Sequence, residues 1–70
     1  MTNKMRFKIN DPMALQVNNL KDAMDIAFGF ALDDGVLTDD EVEARFTNLK
    51  IGETLIDEDG DEWIRLEDAA

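Results

Sequence analysis

Apolar and polar positions change period along this chain, and the changes mark its elements. From Asn19 to Leu32 the apolar residues Leu20, Ala23, Met24, Ala27, Phe30 and Ala31 recur at spacings of three and four, which stacks them on one face of a helix. Ile26, Phe28 and Leu32 fall on the flanks, and only Lys21, Asp22, Asp25, Gly29 and Asp33 map to the opposite side. So wide an apolar arc needs cover from more than one neighbouring layer. Asn18 suits the N-cap, and Gly35 after Asp33-Asp34 suits a left-handed C-terminal stop. Gly29 lies mid-helix, at a cost of about 1 kcal/mol relative to alanine. It reads as a tolerated cost or a close approach by another backbone; the sharper reading is a flat spot where a partner approaches.

Ahead of this helix, Met5-Arg6-Phe7-Lys8-Ile9 alternates apolar and basic residues, the period of a half-buried strand. Asn10-Asp11-Pro12 is turn chemistry. Residues 13–17 fit two descriptions. Pro12 could open a helix capped by Asp11, or Met13, Leu15 and Val17 could alternate inward as a second strand. The clean alternation favours the strand.

After the helix, Thr38 and Glu41 have capping-box spacing, with Leu37 and Val42 placed as the hydrophobic staple. A second helix therefore starts here, with Val42, Phe46 and Leu49 turned to the first helix and Asp40, Glu43 and Thr47 turned to water. Beyond Gly52, residues 53–57 and 62–66 read as strands, and Asp59-Gly60 marks the hairpin between them. A two-residue turn pairs Ile56 with Trp63; a three-residue loop pairs Leu55 with Trp63. The register decides whether Trp63 is core or surface. Residues 67–70 read as a frayed tail. Residues 1–70 thus make one small α+β domain, a small antiparallel sheet packed against two helices. In so short a chain large aromatics are needed inside, which assigns Trp63, Phe30 and Phe46 to the core. The rival role is an aromatic anchor for a partner, built from Trp63 and Ile56 with Phe7 or Phe28.

Composition narrows the chemistry. There is no cysteine and no histidine, so thiolate sites, disulfides and the commonest general base are missing. No glycine-rich phosphate loop occurs. Neither acidic run fits a calcium loop: with Gly35 at the sixth position, Phe30 and Leu32 would have to be ligands. In residues 57–62 the glycine comes too early, which leaves at most a weak surface cation site at that tip. The expectation is a protein with no enzymatic activity, no cofactor and no metal. The beginning MTNKMRFK lacks a signal-peptide core, and the apolar run 26–32 is too short to cross a bilayer. A cytoplasmic location is expected.

Charge is the unusual quantity. The formal net charge is −10. Residues 1–30 hold four basic and three acidic groups, and residues 31–70 hold three basic and fourteen acidic groups. Such a surface repels nucleic acid and anionic membrane and attracts basic proteins. The candidate partner-binding residues are Asp39, Asp40 and Glu43 on the second helix, and Asp57, Glu58, Asp59, Asp61 and Glu62 on the hairpin.

In brevity, acidity and lack of catalytic residues, the whole chain resembles the small phage-encoded DNA mimics that inhibit host nucleases, CRISPR effectors or uracil-DNA glycosylase. The resemblance implies an inhibitor whose carboxylates occupy a basic nucleic-acid-binding groove on a partner protein, in a bacterial host cell. A reading of another class is a small structural or adaptor module, or a homodimer, docking through an apolar patch or a sheet edge, with its acidity serving solubility.

Overall fold

The computed structural model describes residues 4–10, 13 and 15–69. Its elements in order are β1 (Phe7–Ile9), β2 (Gln16–Val17), α1 (Leu20–Asp33), α2 (Asp39–Thr47), β3 (Thr54–Ile56) and β4 (Glu62–Arg65). The strands form one antiparallel sheet in the order β2-β1-β4-β3. This is the expected α+β arrangement of an N-terminal strand pair joined to a C-terminal hairpin, with two helices against it.

Alternation fixes which side of the sheet meets the helices. Phe7, Ile9, Val17 and Trp63 are buried, and Leu55 is partly so, on the helix side. Lys8, Gln16, Thr54, Ile56, Glu62 and Ile64 occupy the intervening positions, so they form the outer face. Met5 continues the inward series of β1. From the other layer come Leu20, Ala23, Ala27 and Phe28 of α1, with Val42 and Phe46 of α2. Phe46 is the hub. Its ring meets Phe7, Phe28 and Trp63 edge-on, at centroid distances of 4.9, 6.1 and 5.7 Å.

The α2 start is as expected: Thr38 and Glu41 exchange side-chain-to-backbone bonds in a full capping box. Gly35 and Gly60 have φ of 74° and 87°, the left-handed region that the α1 stop and the hairpin loop require. In the hairpin, Asp57 N–H bonds the Asp61 carbonyl at 2.9 Å, which closes a three-residue loop. Leu55 therefore faces Trp63, and the indole goes inward.

Four of these expectations need correction. The α1 cap is Asn19, whose side chain accepts from Asp22 N–H; the Asn18 oxygen instead takes the Gln16 amide. The second strand is only Gln16–Val17, with Met13 86% and Leu15 46% exposed. β2 is an edge strand whose Cα partners in β1 are only Phe7 and Lys8, so Val17 alone has a core position to fill. The expectations for Asp11, Pro12 and Ala14 lie outside the described residues. The tail through Ala69 is not frayed, because Ala69 and Leu66 N–H groups bond the Lys4 and Arg6 carbonyls, and Arg6 Nε donates to the Glu67 carbonyl.

The fourth correction concerns Phe30, which is 72% exposed while Phe28 is 3% exposed. Phe28 has non-helical φ and ψ of −132° and 26°. That break shifts the phase of the following turn. Phe28 turns in against Phe46, and Phe30 turns out. At Gly29 a Cβ would meet nothing within 4 Å, so of the two plain readings the close approach by another backbone is excluded and the tolerated cost stands.

Candidate partner-binding surface

The eight acids expected to face a partner do not form one surface, because the hairpin sends its five in different directions. Asp57 is buried, and its carboxylate is spent inside the fold. Oδ1 accepts the N–H groups of Asp59 and Asp61, each at 2.9 Å. Oδ2 accepts the Trp63 indole N–H at 2.8 Å. Asp57 thus closes the loop and satisfies the one polar atom of the buried indole.

Glu58 reaches α1 at its break. In a regular helix the Ala31 N–H would bond the Ala27 carbonyl. Here Ala31 and Phe30 N–H groups donate to the Glu58 carboxylate at 3.0 and 3.2 Å, and Glu58 N–H donates to the Ala27 carbonyl at 3.3 Å. Phe28 sits where a new helical segment needs an N-cap but has no oxygen to offer, so Glu58 supplies it from the hairpin. Replacing Glu58 with alanine is expected to lower stability by about 1 kcal/mol. The amides of Phe30 and Ala31 should then lose hydrogen-exchange protection ahead of the rest of α1. Unchanged exchange at those two amides would contradict the capping role.

The remaining acids are freer. Asp59 and Asp61 are exposed at the hairpin tip. Glu62 is half-buried on the outer sheet face and accepts from the Asn10 amide at 3.0 Å. Asp39 and Asp40 are exposed in the first turn of α2, where they complement its dipole. Glu43 is half-buried, as is Thr47, so the water-facing side of α2 is narrower than expected. None of the eight forms an ion pair among the described residues. The two ion pairs there are Lys21 with Asp25 at 4.0 Å and Arg65 with Asp68 at 3.0 Å. Arg45 lies over the Phe28 ring instead, 5.3 Å from its centroid.

Two further acids, Asp33 and Asp34, flank the α1–α2 connection together with Asp39 and Asp40. Asp33, Asp34, Asp39 and Asp40 are all exposed and are joined by the short α1–α2 connection, whose Val36 and Leu37 N–H groups bond back to the Ala31 carbonyl. The last turn of α1 carries no basic side chain, although its dipole favours a cation there. Beside this corner, Asp25, Ile26, Gly29, Phe30, Asp33 and Glu58 line an open depression of about 230 Å³. That is below the roughly 300–1,000 Å³ of small-molecule clefts, and closer to the size of one side chain. Asp25 and Asp33 are not among the eight acids expected from the sequence. The available signal was their position with Gly29 at successive four-residue steps on α1, opposite the apolar arc.

Among the described residues no three acidic side chains lie close enough to hold a metal ion, and no helix is long and apolar enough to cross a membrane. Comparison with known families, curated proteins and solved structures gave no match.

Proposed function

We propose that the protein is a non-enzymatic acidic binding protein that occupies the basic, nucleic-acid-binding groove of a partner protein, placing carboxylates where phosphates would lie. The supporting observation is the α1–α2 corner, where Asp33, Asp34, Asp39 and Asp40 are exposed without a basic neighbour in the intervening sequence. The hairpin-tip acids Asp59 and Asp61 extend the negative surface, whereas Asp57 and Glu58 act chiefly within the fold. Fixed carboxylates speed encounter with a cationic groove and make affinity fall with salt. The setting is the cytoplasm of a bacterial host, where nucleases, CRISPR effectors and glycosylases offer such grooves.

The test is capture of partners from a bacterial lysate at about 50 mM salt. Partners should be released by competing DNA and by raising salt to about 500 mM. Replacing Asp34, Asp39 and Asp40 together with asparagine should weaken binding by about tenfold or more. Partners that ignore both DNA and salt would overturn the proposal.

A further inference from the structure

The depression on α1 deepens the function just proposed, on which it rests, by indicating what the partner inserts. We propose that it receives one arginine side chain of the basic partner, the guanidinium lying on the Phe30 ring with Asp25 and Asp33 as its free carboxylates and Glu58, whose oxygens already accept the Phe30 and Ala31 N–H groups, adding negative charge beside them. Phe30 is 72% and Ile26 48% exposed, so the lining offers accessible apolar surface beside its carboxylates. A small-molecule or metal occupant is disfavoured by its size and by the absence of a ligand cluster among the described residues.

Charge complementarity selects a cation, and shape selects arginine over lysine. A planar guanidinium stacks on an aromatic face while its edge donates to carboxylates; an ammonium group does so less well. The chain already contains this pairing in Arg45 over Phe28. Asp33 lies at the negative end of the α1 dipole with no basic side chain in that turn, so an incoming cation meets an uncompensated site. Lys21 does not compensate these carboxylates effectively. Its contact with Asp25 is 4.0 Å between side chains 84% and 62% exposed, a geometry that contributes little.

A second copy of this chain is a poor occupant. Face-to-face docking would oppose Asp25, Asp33 and Glu58 to their own copies. The chain's three arginines are also engaged at home: Arg6 donates to the Glu67 carbonyl, Arg45 covers Phe28, and Arg65 donates to the Leu49 carbonyl and to Asp68.

The test is titration of the ¹⁵N-labelled protein with hexa-arginine and hexa-lysine, followed by amide chemical shifts. Hexa-arginine should bind about tenfold more tightly and shift the amides of residues 25–33 and of Glu58. Phe30→Ala should erase the preference for arginine while the spectrum stays dispersed, and Phe30→Trp should keep it. Asp33→Asn, at an exposed position, should weaken hexa-arginine binding without affecting the fold.

Equal binding of the two peptides, shifts confined to residues 39–40 and 59–61, or an unchanged preference in Phe30→Ala would overturn the site. So would Phe30-dependent self-association of the free protein. The two proposals fail separately. DNA-competed partner binding that ignores Phe30 removes the arginine site and leaves the function. Phe30-dependent hexa-arginine binding with DNA-insensitive partners supports the site and removes phosphate mimicry.

Discussion

Phe46→Ala is expected to leave the chain without a cooperative fold. The Phe46 side chain is fully buried, and its ring is the common neighbour of Phe7 on β1, Phe28 on α1 and Trp63 on β4. Truncating a buried phenylalanine costs about 3–5 kcal/mol, and edge-to-face pairs contribute beyond the buried area. A single core in a chain of this size rarely supplies more than about 3–5 kcal/mol of net stability. Loss and reserve are therefore comparable, and the variant should show no sigmoidal thermal transition and no near-ultraviolet Trp63 signal. Phe46→Leu, which refills most of the volume, should cost about 1 kcal/mol and lower the midpoint by about 4–8 °C. An alanine variant that melts cooperatively within a few degrees of the parent would show that the three aromatic contacts are not the centre of the fold.

Asp57→Ala should have the second largest effect, of about 3 kcal/mol in urea denaturation. The substitution leaves three donors without their acceptor: the indole N–H of fully buried Trp63 and the N–H groups of Asp59 and Asp61. A buried unsatisfied donor costs about 1–3 kcal/mol, and bonds to a charged acceptor are roughly twice as strong as neutral ones. The loop amides can turn to water, so most of the loss belongs to the indole. Removing that donor as well, in Asp57→Ala with Trp63→Phe, should cost less than the sum of the single changes by about 1 kcal/mol or more. Additive losses would mean that the carboxylate and indole are not energetically coupled. The same result bears on binding experiments, since changing Asp57 would confuse a folding defect with a lost contact.

The acids show how much of a candidate surface can be read from charge. Regional acidity was evident from residue counts, but counting could not separate Asp57, which serves the fold, from Asp59 beside it in the hairpin. Asp25 and Asp33 stood opposite the apolar arc of α1, yet nothing in their spacing revealed that Glu58 would come to lie beside them. The exposed acids therefore lie less on the hairpin than on α1 and the α1–α2 corner, and the proposed partner contact shifts with them.

What the sequence by itself determined is what neighbouring residues can settle. The capping box of α2 joins Thr38 to Glu41, the left-handed stops fall on Gly35 and Gly60, and the alternation of Met5, Phe7 and Ile9 gives β1 its inner side. Each rests on bonds or steric limits spanning a few positions, so the local pattern carries the answer. Tertiary structure decided between arrangements that the local pattern leaves nearly equal. Phe28 or Phe30 could enter the core from α1; a break at Phe28, capped by Glu58 from a distant hairpin, put Phe28 inside. Trp63 had two registers, and the inward one is the one in which Asp57 meets the indole and both loop amides. Distance along the chain hides such partners, and burial makes their hydrogen bonds costly to leave unmade, which gives them control over which side of an ambiguous pattern becomes the core.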